Sequence, residues 1–171
     1  MSTTPADILN LVFTDLNTWA GENGGVCRLT QNPFDLLEMM AEQPGGWRLI
    51  ILWEGDDPSD PSVRGSSVVD NNFRFIVDGD LGPTMIPKVA LIRETAARTP
   101  FLELLDAVRF RVMCYRFTGL SEPNNHFWYR GTDDNVPLPD GMLLAAYNLR
   151  FVLRSIKTMP GEDDEIELGA Q

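Results

Sequence analysis

The chain has a single histidine, His126, and two cysteines, Cys27 and Cys114, among 171 residues. Nucleophile–base catalysis needs an imidazole oriented by a third group and facing a serine or cysteine. No G-x-S-x-G elbow is present, and His126 stands in an aromatic run, so it reads as a strand residue and not as a base. Zinc centres draw on several His and Cys ligands at short spacing, and three scattered residues do not make one. Both cysteines lie in apolar contexts and are expected to be small buried hydrophobes. G-x-x-x-x-G-K-[ST] and G-x-G-x-x-G loops are also absent, and with them the usual backbone cradle for phosphates. Nothing here implies a cofactor, a catalytic residue or a metal. No apolar run reaches membrane-spanning length, and no basic-then-hydrophobic leader opens the chain. A protein made and kept in the cytoplasm, unless released with a particle, is the expectation.

Lysine is nearly missing as well. Only Lys88 and Lys157 stand against 12 arginines. Arginine offers a planar fork of donors suited to carboxylates, including those of a neighbouring subunit, although a compositional bias of the source would leave the same excess. Acidic charge dominates overall, with a formal net charge of −11. The run Glu162-Asp163-Asp164-Glu165 with Glu167 supplies five of those charges and leaves about −6 for the body. A body of that sign repels phosphate backbones and weighs against specific or non-specific nucleic-acid binding.

What is present is a core. Apolar residues make up 43% of the chain, a share typical of globular domains. Trp47-Arg48-Leu49-Ile50-Ile51-Leu52-Trp53-Glu54-Gly55 is a short apolar run between a Pro-Gly-Gly turn and an Asp/Pro-rich stretch. Its length and punctuation predict a strand buried on both faces, central in a sheet. Before it, Ile8, Leu11, Val12, Leu16 and Trp19 recur at helical spacing behind Thr3/Thr4-Pro5 and give a helix to about Ala20, ended by Gly21 and Gly24-Gly25. Val26–Thr30 suits a short strand. Asn32-Pro33 starts a short helix marked by Phe34, Leu37 and Met40. Residues 67–77 alternate with period two and form a strand. Thr99-Pro100 caps a second long helix on the stripe Phe101, Leu104, Leu105, Val108 and Val112. Past Val108 the positions Phe110, Val112 and Cys114 also fit alternation, which leaves open an early hand-over to a strand. His126–Gly131 is an aromatic strand. In the closing strand Tyr147, Leu149, Phe151 and Leu153 face one way, and Asn148, Arg150 and Arg154 the other.

The fold class expected is α/β (α+β): one mixed or antiparallel sheet of about 4–5 strands flanked by 2–3 helices, in a single domain over residues 1–160. Residues 161–171, acidic and poor in apolar side chains, are expected to be a mobile tail. Residues 56–65 read as a polar loop whose three aspartates lack the ligand rhythm of a calcium site. Asp78-Gly79-Asp80 resembles a metal-binding DxD, but without a nucleotide motif it reads as a turn. Residues 81–98 stay open. Carboxylates are plentiful, so a small carboxylate-dependent enzyme is an alternative, though they concentrate in loops and the tail where burial would not raise a pKa. The stronger expectation is a non-enzyme that works through its surfaces, with Asp56, Asp57, Asp60, Arg64, Trp128, Tyr129, Arg130, Arg150 and Arg154 as candidate partner-interface residues.

The order of an opening amphipathic helix, the Trp47–Gly55 strand, a polar loop and Phe73-Arg74-Phe75-Ile76-Val77 continues into the Phe101–Arg109 helix and closes on Tyr147-Asn148-Leu149-Arg150-Phe151. Over roughly residues 5–157 this layout resembles the tail terminator (tail-to-head joining) proteins of lambda-type long-tailed phages. The resemblance implies a sheet flanked by helices, assembled as a hexameric ring that caps the tail tube and meets the head connector. It implies a structural virion protein, assembled in the host cytoplasm, with tail-tube and connector proteins as partners. It supplies no motif, so no functional residue carries over. Another neck, tail-completion or tail-tube-like component is the nearest alternative.

Overall fold

The computed structural model describes residues 5–30, 35–36, 38–39, 46–58, 66–80, 101–117, 125–134, 136 and 144–158. Helix α1 spans Pro5–Glu22, and strand β1 follows at Gly25–Thr30. Strands β2 (Trp47–Pro58) and β3 (Ser66–Asp80) come next, then helix α2 (Phe101–Cys114), β4 (Phe127–Asp133) and β5 (Leu144–Thr158). The five strands form one mixed sheet in the order β1-β2-β3-β5-β4. Among the described strands only the β1–β2 pair is parallel. With helices α1 and α2 among the described residues this is an α+β fold, as the alternation and the helical stripes predict.

Both helices lie on the same face of the sheet. Ile8, Leu9, Val12, Leu16 and Ala20 of α1 and Leu104, Leu105, Val108 and Val112 of α2 share one core with the odd-numbered residues of β3 and β5. Those are Phe73, Phe75 and Val77 on β3 and Leu149, Phe151 and Leu153 on β5. Phe127 of β4 is the hub of its aromatic part, meeting Phe73, Phe75, Phe117 and Phe151 mostly edge to face, at 5.1 to 6.0 Å between ring centres. Such rings prefer this arrangement because the positive edge of one meets the negative face of the other. At the α1–β1 turn, Trp47 donates its indole N–H to the Asn23 carbonyl at 2.9 Å and packs edge-on against Trp19. A Cβ on Gly25 would stand 2.3 Å from the Trp47 ring, so this close approach requires glycine.

A smaller core lies on the opposite face. Leu36 and Met39, where residues 35, 36, 38 and 39 are helical, pack with Ile50, Ile76, Val136 and Ala146. This gives β2 its burial on both faces. In strand order, however, β3 is the central strand and β2 stands beside it.

Several local expectations change. The polar stretch after Gly55 does not begin as a loop, because Asp56, Asp57 and Pro58 continue β2 opposite Asn71, Asp70 and Val69. A bulge between Trp53 and Gly55, with Gly55 at φ 104°, keeps the pairing going past the glycine. Asp78-Gly79-Asp80 is the end of β3 and not a turn, with each residue paired to β5. Helix α2 does not hand over to a strand at Val108 but runs to Cys114. Cys114 is exposed, whereas Cys27 is buried as expected. Burial pushes the Cys27 thiol up to about 12, so it stays protonated and inert. Phe34, Leu37, Met40, the caps at Thr3/Thr4 and Thr99-Pro100, and residues 81–98 and 161–171 lie outside the described residues.

Two polar clusters tie the layers. Between the helices, Arg111 donates to both Asp15 oxygens, at 2.7 and 2.8 Å, and its guanidinium lies over Trp19. Tyr115 also donates its hydroxyl to Asp15. The Arg111 bonds hold the Asp15 carboxyl below its ordinary range, against partial burial, with help from Tyr115. A depressed carboxyl stabilises the fold above its unfolded pKa of about 4 and loses that contribution as pH falls through the folded value. In urea titrations from about pH 5 downward, the native chain should therefore lose more stability than Arg111→Gln. The difference should be on the order of 1 kcal/mol or less, since both groups are over a third exposed.

Inside the sheet, Arg48 and Asp78 are cross-strand partners and both are almost fully buried. Arg48 donates from Nη2 at 2.8 Å and from Nε at 3.2 Å to Asp78, and from Nη1 to the Met39 carbonyl. Burial raises the Asp78 pKa, and the guanidinium opposes that shift. Removing one partner strands the other charge in the interior. Asp78→Asn should cost about 3–5 kcal/mol in urea unfolding, while Arg48→Met combined with Asp78→Leu should recover most of that loss.

Candidate functional site: the arginine face of the sheet

Period-two alternation along β3 and β5 puts their even-numbered residues on the face away from α1 and α2. At one end of that face lie the buried Arg48–Asp78 pair and the Leu36 cluster. Toward the other end the side chains are charged. Arg154 donates from Nε to Asp70 at 2.9 Å, directly across the β3–β5 ladder. Arg130 reaches the other oxygen of Asp70 at 3.9 Å. Arg150 pairs with Asp133 at 3.1 Å, and Asn148 donates its amide to the same carboxylate at 2.7 Å. Arg74 stands opposite Arg150 in the ladder and pairs with Glu54. Its Nε is buried and makes no hydrogen bond among the described residues. Trp128, opposite Val152 and 43% exposed, stacks against His126 at 4.8 Å.

In the Asp70 and Asp133 pairs the depth differs by sign, with Arg130, Arg150 and Arg154 52%, 51% and 40% exposed and Asp70 and Asp133 17% and 32%, whereas Arg74 and Glu54 lie at similar depth, 26% and 29% exposed. Asp70 and Asp133 thus sit low and hold the guanidiniums by one edge. A guanidinium has five N–H donors, and these pairs use only some of them, so the outer edges remain available to acceptors from outside. The Asp70 bond also raises the Arg154 pKa, which keeps that side chain charged at any working pH.

The structure brings together Trp128, Arg130, Arg150 and Arg154 from the expected set. It separates the others. Tyr129 points to the helix face, where it stacks on Phe151 at 5.4 Å and lies under Arg109 at 5.5 Å. Asp56 and Asp57 fall in β2 beyond the Gly55 bulge, and Asp60 and Arg64 lie outside the described residues. Glu54, Asp70, Arg74 and Asp133 belong to the face and were not anticipated. Asp70 and Arg74 were visible on the polar side of the β3 alternation, but only the register shows which arginine each one meets.

Among the described residues no group of three or more His, Cys, Asp or Glu side chains is arranged to hold a metal ion. No helix among them is long and apolar enough to cross a membrane. No family model matches the chain, and a search of curated proteins returns no match.

Half-exposed pairs of this kind contribute little to stability, because water screens them and long side chains lose entropy on ordering. Arg150→Gln and Arg130→Gln should each shift unfolding free energy by about 0.5 kcal/mol or less. Phe127→Ala, in the core behind them, should cost about 3–5 kcal/mol in the same urea assay.

Proposed function

We propose that the chain is a structural subunit that works by fitting against copies of itself. On this reading its assembly is the terminator ring of a lambda-type long-tailed phage tail. The observation that carries the reading is the open sheet face, where Arg130, Arg150 and Arg154 stand half exposed around Trp128. Arginine and tryptophan are the side chains in which interface energy concentrates, and here carboxylates beneath hold the arginines in place. The resemblance to terminator proteins implies a sheet flanked by helices, and a sheet carrying packed helices supports the reading to that extent.

A closed ring is built from heterologous contacts, so one patch of a subunit meets a different patch of the next. Protruding guanidiniums on one surface suit a chain whose net charge is otherwise strongly acidic, because acceptors are abundant on the rest of each copy. In this role the subunits cap the tail tube and present a surface to the head connector within the virion. No covalent bond is made or broken.

Light scattering on the purified protein tests this directly. A particle near six times the 19.2 kDa chain mass, sedimenting with added tail tubes, is the expected result. Arg150→Glu combined with Arg154→Glu should keep the folded circular-dichroism spectrum and reduce the particle to single chains. A native chain that stays monomeric at every concentration and never joins tubes overturns the proposal.

A further inference from the structure

Helix α2 carries a second stripe besides the one buried in the core. Leu102, Asp106, Arg109 and Met113 recur at spacings of four, three and four residues, the rhythm with which one helix meets another. At about 100° per residue they fall within roughly 60° of the circumference. All four side chains are more than a third exposed. Phe110 stands beside the stripe and, at 71%, is the most exposed large apolar side chain among the described residues. Arg111, on the opposite side of the helix, holds Asp15 of α1, and Arg109 lies over Tyr129 of β4, the outermost described strand. The stripe therefore runs along the flank of α2 that faces away from α1, on the β4 side of the sheet.

We infer that this stripe pairs with the same stripe of a second copy, the two α2 helices lying antiparallel across a two-fold axis. The occupant follows from the order of the residues. Their spacing reads the same from either end, and so does their chemistry, apolar at the ends and charged in the middle. An axis passing between Ala107 and Val108 sets Leu102 of each copy against Met113 of the other, and Asp106 of each against Arg109 of the other. Two apolar contacts and two opposite-charge contacts form together, and no like charges are opposed. A parallel pair would instead set aspartate against aspartate and arginine against arginine, which repel. Within one chain Arg109 already bonds one oxygen of Asp106 through Nη2, which leaves further guanidinium donors and the second carboxylate oxygen for the other copy. The same axis brings the Phe110 ring to the level between Leu102 and Asp106 of the second copy and takes it out of water. The helix layer then continues from copy to copy in the order α1-α2-α2-α1. With 14 residues, α2 is about 21 Å long, so the contact falls short of the roughly 1,200 Å² that marks a stable interface. It is a reversible pairing that fills at high protein concentration. It uses none of the arginine face, so it stands whether or not the chain forms rings.

Mixing two variants tests the pairing, because the loss each one causes can be rescued only between chains. Asp106→Arg and Arg109→Asp each oppose like charges across the axis, and each chain alone should self-associate about tenfold more weakly in sedimentation equilibrium over a concentration series. An equimolar mixture should regain the association of the parent, since the basic stripe of one chain meets the acidic stripe of the other. The intrachain Asp106–Arg109 pair cannot produce that recovery. Both positions are exposed, so the fold is kept. Parent and variants all carry Arg150→Glu with Arg154→Glu, which keeps ring formation out of the measurement and a failed ring separate from a failed pairing. Direction is read by crosslinking the otherwise native chain with Cys114→Ser. A short bis-maleimide should join Leu102→Cys chains to Met113→Cys chains and neither to its own kind, because like positions lie about 16 Å apart along the pair. Cys27 is buried and protonated and takes no part. A parent that does not self-associate, variants that associate as strongly as the parent, or a mixture as weak as its components overturns the inference. Crosslinks within each variant as abundant as those between the two overturn it as well, because the contact is then not antiparallel.

Discussion

The register between β3 and β5 is the constraint on which the rest depends. Fifteen residues of each strand pair without a shift, from Ser66 opposite Thr158 to Asp80 opposite Leu144. Because side chains alternate, this one alignment decides that Phe73, Phe75, Val77, Leu149, Phe151 and Leu153 all face the helices. A slip of one residue would turn the slipped strand over, exposing Phe73, Phe75 and Val77 and driving Arg74 and Asp78 under the helices if β3 moves, or exposing Leu149, Phe151 and Leu153 and driving in Arg150 and Arg154 if β5 does. The cost would be many kcal/mol of lost burial together with several stranded charges, so the register is specified twice over. The same alignment sets Asp70 across from Arg154 and leaves Arg74 across from Arg150. Two like charges placed directly opposite would destabilise a bare ladder, and here each finds its own carboxylate outward, Glu54 on β2 and Asp133 on β4.

The two ends of the outer face use charge differently. At the Arg48–Asp78 end both groups are dry, and the attraction between them must offset the loss of two hydration shells. Such a pair adds little net stability over a well-packed apolar pair, but it severely penalises any structure in which the partners are apart. It therefore acts as a check on the β2–β3 register, reinforced by the third arm of Arg48 on the Met39 carbonyl. At the Arg150–Arg154 end the pairs are half in water and neither stabilise nor forbid much. Their effect is to fix where the guanidiniums point.

Where local chemistry and tertiary context agree, the chain can be read directly. The apolar stripes of α1 and α2, the run Trp47–Leu52 and the alternation of β5 each need burial on a face that their spacing largely defines, although in α1 the expected Leu11 is 62% exposed and Leu9 is buried in the core instead. Strand ends are different. Asp56, Asp57 and Pro58 carry turn chemistry, yet they are strand because β3 runs on opposite them and the Gly55 bulge absorbs the mismatch. Asp78 has the composition of a turn residue and sits in the interior, because Arg48 is its cross-strand neighbour. No local window contains that information. The same holds for the arginine face. Parity alone puts Arg150 and Arg154 on one side and Trp128 and Arg130 on one side of their own strand. Whether these sides coincide depends on the β4–β5 pairing and on the bulge between Tyr129 and Gly131. Tyr129, adjacent in sequence, lands on the other face for the same reason.

A surface of this construction favours recognition over adhesion. Arginines standing free would pay rotamer entropy on binding any acceptor and would bind many acceptors loosely. Here the carboxylates below have already ordered the guanidiniums, so part of that cost is met in the folded chain. They also cancel most of the local positive charge, so the face does not attract every anion that approaches. What remains is a pattern of directed N–H donors around an indole. Only an acceptor set with matching spacing can use it fully, since each guanidinium gives up nothing toward its own carboxylate when it accepts a second one at its outer edge. An acidic surface held in fixed geometry gains from that pattern, and a diffuse polyanion gains little. The pairs contribute little to the fold, and on the proposed reading any selectivity of the face comes from the same half-exposed geometry.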